Sequence, residues 1–238
     1  MPVPFLTARW SHLLLVNMEV PEAVLRPIIP PPLELDHWGG KAYVSVVGLC
    51  MDEVRVRGWR VPGFAAHAQV NFRTYVRLRD RGGGGVWFIK QLVASRLMAA
   101  VARWAYGEPF ATAPINARVA DAPDTVTVEY RLARRWRMVA TAGAALGVPR
   151  PRSAEAFFQE RFVGYRLNRR GQLTAFQVEH PSWHGRSVDN FDWDLDLGAL
   201  YGPEWAALSP RPAASVLYAR GSTVAVYSPQ RVLAVGAG

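Results

Sequence analysis

An amide, a guanidinium and a phenol stand at alternate positions in VNFRTYVRL (70–78): Asn71, Arg73 and Tyr75. Side chains alternate across a β-strand, so these three share one face, while Val70, Phe72, Thr74, Val76 and Leu78 share the other. A guanidinium fork matches a carboxylate, an amide offers a donor and an acceptor, and a phenol can hold or move a proton. Such a row either faces solvent or lines a pocket. Lys90, in VWFIKQL (86–92), counts onto one face with Val86 and Phe88. Lysine is rarely buried without a partner. An inward Lys90 would be an amine able to form a Schiff base, and one at a sheet edge would extend to water.

His180 and His184 lie four apart in EHPSWH (179–184), where Pro181 disfavours a regular helix. A zinc site there would need a third ligand from afar. His180 facing a pocket would act as acid or base; packed on Trp183 it would be inert. Asp192, Asp194 and Asp196 have the alternate spacing of a calcium loop, but Gly198 comes one place late and Glu204 misses the closing position. Phe191, Trp193, Leu195 and Leu197 between them read instead as a half-buried strand with its acids toward water. Cys50, the one cysteine, sits in apolar VVGLCM and reads as a structural thiol. No metal and no cofactor is expected.

The elements that must position these groups are mostly strands. KAYVSVVGLCM (41–51) is rich in β-branched residues, and RDRGGGG joins the strand at 70–78 to the one at 86–92 as a hairpin. DTVTVEYRLARRWRMVATA reads as two strands, GYRLNRRGQLTAFQVEH as a hairpin, and ASVLYARGSTVAVYS as a last pair about Gly221. Helices are expected after Pro21, over 93–107 with Val93, Leu97, Val101 and Trp104 on one face, and from a cap at Ser153 with Phe158 and Phe162 sharing a face. The pattern is that of a β-rich α+β fold, one domain over 1–238, curled or closed, with two or three short helices.

The 238 residues carry a formal net charge of +9, yet only Lys41 and Lys90 are lysines and the remaining basic residues are arginine. That ratio reads as coding bias as much as phosphate binding. The densest cluster, RLARRWRM (131–138), reads as a solvated face before a nucleic-acid groove. No apolar run spans a bilayer and no leader pattern opens the chain, so the expected compartment is the cytoplasm, without a membrane partner.

Taken in order, RWSHLLLVNMEVP, LRPIIPPPLELD, GKAYVSVVGL, VNFRTYVR, GVWFIKQL, RLMAAVARWAYGEPF and, more loosely, HPSW and VLYARGSTVAVY resemble the YqjF-like uncharacterised family of the acetoacetate decarboxylase-like superfamily. The resemblance implies an antiparallel β-barrel or cone with a flanking sheet, enclosing a mostly apolar cavity. It also implies an inherited pocket without the superfamily's known chemistry. In ARWAYGEPFATAPI (102–115), Phe110 stands where a decarboxylase has its Schiff-base lysine, and Ala111 replaces the neighbouring lysine. Asn71 stands where those enzymes have a pocket glutamate. On this basis Asn71, Arg73 and Tyr75 are expected to look inward. Arg73, Asn71 and Phe110 would bind a small, partly apolar carboxylate or carbonyl compound. Tyr75, Tyr106, Glu108 or His180 would move protons, and Lys90 would be the one amine at hand. A non-catalytic ligand-binding or sensing protein using the same cavity is the alternative; an arginine-rich nucleic-acid binder ranks below both, and self-association is left open.

Overall fold

The computed structural model describes residues 3–60, 66–79, 83–94, 110–209 and 212–232. Among them fifteen strands join in one sheet. The first six are β1 (Leu6–Glu19), β2 (Leu33–Leu35), β3 (Tyr43–Val56), β4 (Trp59–Arg60), β5 (His67–Leu78) and β6 (Gly84–Val93). The next four are β7 (Phe110–Thr112), β8 (Ile115–Asp121), β9 (Val126–Leu132) and β10 (Trp136–Gly147). The last five are β11 (Val163–Leu167), β12 (Leu173–Glu179), β13 (Gly185–Asp194), β14 (Ser215–Val226) and β15 (Gln230–Arg231). Among the described residues three short α-helices accompany them: α1 (Glu22–Leu25), α2 (Ala154–Gln159) and α3 (Leu197–Tyr201), the last followed by a 3-10 turn, Pro203–Leu208. This is the β-rich α+β fold expected.

The sheet closes on itself. β12, β11, β6, β5, β3, β1 and β14 follow one another, and β14 pairs back onto β12 through Val178 opposite Val226 and Glu179 opposite Ala225. All joints are antiparallel except β11 with β6. One face of each strand in such a ring looks inward. Leu13, Leu15, Val47, Leu49, Tyr75, Val86, Phe176 and Val178 meet inside, and α2 places Phe158 among them. Outside, the sheet turns away through β13 and continues as β10, β9 and β8, which fold back over the ring. Leu14, Val16, Val46 and Phe72 of the ring pack there against Val128, Tyr130, Met138 and the α3 segment. Gly48 permits this approach, because a Cβ there would lie 2.5 Å from Met138 Cε and 2.6 Å from Tyr130 Cδ2.

Several expectations are corrected. The last pair of strands is one strand, β14. Gly221 lies within it at φ +84°, where a Cβ would sit 2.0 Å from the Trp10 carbonyl oxygen, so glycine serves a close crossing there and not a turn. The helix capped by Ser153, whose hydroxyl accepts from the Ala156 amide at 3.2 Å, ends at Gln159. Phe162 is therefore beyond it, and adjacent Phe157 and Phe158 stand edge-to-face at 5.1 Å instead. Val93 closes β6, and the remainder of the helix expected to 107 lies outside the described residues, as do Tyr106 and Glu108.

Candidate functional site

β5 is buried on both faces, which answers what its polar row does. Asn71, Arg73 and Tyr75 point into the ring, and Phe72 points out to stack on Tyr201 at 4.5 Å and meet Trp205 edge-on at 4.8 Å. Across the inner wall the register sets Ser215, Asn17, Ser45 and Arg73 side by side on β14, β1, β3 and β5.

The first three of these are tied together. Asn17 donates through Nδ2 to Ser215 Oγ at 2.9 Å, and Ser45 donates to Asn17 Oδ1 at 2.6 Å. The Ser45 proton is thereby used, so the 2.6 Å contact between the Ser45 and Tyr75 hydroxyls is donated by Tyr75. Tyr75 is fully buried against Phe157 and Phe158, with ring centroids at 5.1 and 5.3 Å. Its phenol is a strut of this network, with no surface left for a ligand, and the proton-moving role expected of it has no access.

Gln69, Asn71 and Gln91 form a second cluster. Gln69 donates both amide hydrogens, to Asn71 Oδ1 at 2.6 Å and to Gln91 Oε1 at 3.0 Å. The Asn71 amide nitrogen is left with no partner among the described residues. Phe110, on β7, pairs with Gln91 in parallel register and so stands beside this cluster. The position that the resemblance gives to an amine thus carries an apolar ring among neutral amides.

Arg73 completes the wall. Its Nη2 donates to the Phe158 carbonyl at 3.0 Å, and its guanidinium carbon lies 5.7 Å from the Tyr75 ring centre. Its Nε is buried with no partner, and no carboxylate pairs with it among the described residues. Arg161, which the sequence reading passed over, shows the contrast. It lies 5.2 Å from the Tyr75 ring and 3.9 Å from that of Phe157, and pairs with Asp36 at 2.6 Å with its side chain only 6% exposed.

His180 stacks on Trp183 at 3.9 Å, with the rings 12° from parallel, and donates from Nδ1 to the Pro181 carbonyl at 2.9 Å. Since only a ring N–H can bond to a carbonyl, Nδ1 carries the proton. Burial lowers the His180 pKa, the Pro181 carbonyl raises it, and the nearby Arg73 charge lowers it again. The histidine is therefore neutral at neutral pH, with Nε2 as its basic atom. Phe162 also faces it, at 4.8 Å.

Lys90 is not in this group. A bulge in β6 sets Phe72 opposite Lys90 and Arg73 opposite Phe88, so Ile89 and Lys90 both lie on the outer side. Counting by twos placed Lys90 with Val86 and Phe88; the bulge moves it to the other face, where Nζ donates to the Leu200 carbonyl at 2.7 Å. Among the described residues no three His, Cys, Asp or Glu side chains converge to hold a metal ion. Asp192 pairs with Arg137 at 2.6 Å and Asp196 caps α3 through the Ala199 amide at 2.9 Å. Burial raises the Cys50 thiol pKa. In the basic cluster, Arg131 pairs with Glu129 at 2.8 Å and Arg135 lies over Trp136 at 5.5 Å. No helix of the described residues is long and apolar enough to cross a membrane.

Gln69 shares Asn71's parity in the sequence and was open to the same count. Gln91 was hidden by the bulge. Asn17 and Ser45 were visible only as single polar residues within the apolar runs LLLVNMEV and YVSVV.

The fold is shared with solved proteins. Acetoacetate decarboxylase from Legionella pneumophila superposes with a TM-score of 0.66 at 16% identity, over 98% of this chain and 88% of that one. The enduracididine biosynthesis enzyme MppR, complexed with pyruvate, gives 0.65 at 14%, over 97% and 91%. An acetoacetate decarboxylase-like enzyme from Sphingomonas wittichii RW1 gives 0.63 at 14%, over 96% and 94%. The uncharacterized protein YqjF of Bacillus subtilis is 31% identical over 102 residues, a match covering 42% of this chain and 41% of that protein. The family model of DUF2071, described as an uncharacterized conserved protein, matches residues 7–223, so the chain belongs to the DUF2071 family.

Proposed function

We propose that the protein binds a small, partly apolar carboxylate, such as a short keto acid, inside the ring without forming a covalent bond to it. The observation that carries this is Arg73, an inward guanidinium with a buried, unpartnered Nε and no carboxylate beside it among the described residues. An enclosed charge is unfavourable unless something pairs with it, and an anionic ligand would do so. The free Asn71 amide would donate to the ligand's second oxygen and Phe110 would supply an apolar wall. Neutral His180, close enough to feel the Arg73 charge, is the base available for proton transfer. An imine has no amine to form on: Phe110 stands at one position and Lys90 lies outside the ring. A fold neighbour crystallised with pyruvate is consistent with a ligand of this class.

The test is calorimetry of pyruvate and pyruvamide against wild type and Arg73→Lys. A forked charge-assisted contact contributes about 1.5–3 kcal/mol, so Arg73→Lys should weaken the acid by about ten- to a hundredfold and leave the amide nearly unchanged. Equal small effects on both would overturn the assignment. Arg73→Met, which removes the charge, should abolish the preference for the acid.

A further inference from the structure

A recess lies between residues 146–150, α2 and the β13–β14 junction, with a volume of about 410 Å³. Leu146, Val148 and Leu217 line it, and the first two are 63% and 49% exposed, a good deal of apolar surface for one small hollow. Its polar members are differently placed. Glu155 and Gln159 are one turn apart on α2 and so share a face. Gln159 is 5% exposed, and its side-chain oxygen is buried with no hydrogen-bond partner. Buried amides almost always find partners, so an unused one beside a cavity marks a place where a ligand would supply them. Arg150 lines the same hollow. It forms no ion pair with Glu155 or with any other described residue. The other charged group, Arg186, is already spent on the Gly143 carbonyl at 2.5 Å and the Asp124 carbonyl at 2.9 Å.

Opposite charges thus border one cavity without joining, beside apolar side chains and a buried amide oxygen with no partner. We propose that this recess binds a small zwitterion with an apolar side chain: a free α-amino acid of about leucine's size. Arg150 takes the carboxylate, Glu155 takes the ammonium, and the unpartnered Gln159 Oε1, an acceptor, takes a further N–H bond from the ammonium. Leu146, Val148 and Leu217 cover the side chain. The volume falls in the range of small-molecule sites.

The experiment is calorimetric titration of the full chain with leucine, leucinamide, N-acetylleucine and glycine. Leucine should saturate; leucinamide, lacking the carboxylate, and N-acetylleucine, lacking the ammonium, should each bind at least about tenfold more weakly, and glycine likewise for want of a side chain. Arg150→Ala and Glu155→Gln, whose side chains have no partner among the described residues, should each lower leucine affinity by about tenfold or more, with thermal unfolding unchanged. Arg73→Lys should leave leucine binding as it is. Failure of leucine to saturate, indifference to the two charge variants, or loss of leucine binding in Arg73→Lys would each overturn the proposal. The last would place leucine in the ring, so this test and that of the keto-acid site fail separately.

Discussion

Arg73 and Lys90 stand on opposite faces of the same sheet, separated by one bulged residue, Ile89. The two cations that sequence spacing would gather into one pocket therefore serve different sides of the wall. Lys90 bonds the Leu200 carbonyl at the end of α3, and Arg73 faces the interior.

Borohydride reduction in the presence of pyruvate or acetoacetate should therefore leave no adduct on Lys90. Lys90→Met should lower stability by about 1 kcal/mol through loss of the Leu200 bond, without changing how pyruvate responds to Arg73→Lys. Mass spectrometry and urea unfolding check the two parts; a reduced adduct at Lys90 would contradict its placement.

Asp36→Ala should be among the most damaging single changes in the chain. It leaves Arg161, 6% exposed, without its carboxylate. Breaking a buried pair from one side costs about 3–5 kcal/mol. Asp36→Asn, which keeps a hydrogen-bond acceptor, should cost less. Urea denaturation of the two variants gives the comparison; equal losses would show that the charge, which both variants remove, carries the whole effect and the retained acceptor none of it.

Tyr75→Phe should cost about 1 kcal/mol, because it removes one buried donor while Ser45 keeps its bond to Asn17. Keto-acid affinity should hold. A large drop in affinity with little change in stability would return Tyr75 to the site.

His180 should make stability fall in acid. Its folded pKa lies below the unfolded value of 6.5, chiefly because burial disfavours the charged ring. The unfolded chain then binds more protons, so stability is full above about pH 6.5 and declines as pH drops through the folded pKa. His12, also lowered mainly by burial, adds to the same slope. Denaturant unfolding between about pH 7 and 5 should show a shallower decline in His180→Gln. An unchanged slope would mean that the ring titrates freely.

Alternation in the sequence located most ring strands, because a half-buried strand imposes a period of two on its residues. It also put Asn71, Arg73 and Tyr75 on a common face. Which face that was depended on ring closure, a relation among strands far apart in sequence that no local period carries. Lys90 was misplaced because a bulge adds one residue without altering composition. Gly221 resembled a turn because the chain needs glycine both for turns and for crossings as close as that beside Trp10. The Asp36–Arg161 pair spans 125 positions and left no local trace at all.

The ring's joints are unequal, and this bears on how anything enters it. β1 is bonded to β3 and β14 along nearly its whole length, whereas the β11–β12 hairpin is held by Gly164 and Tyr165 against Val86 and Trp87 on one side, and by Val178 and Glu179 against Val226 and Ala225 on the other. Local opening follows the weakest cooperative unit, so the stretch from α2 through β12 should exchange its amide hydrogens well before β1, β3 and β5 do. That stretch carries the Phe158 carbonyl, and His180 follows directly on its end. When it lifts, Arg73 loses its backbone acceptor and its histidine neighbour together and is bared to water. If the ligand is the anion proposed above, the same excursion that admits it would strip the guanidinium of its competitor, and closure over the bound acid would restore the wall.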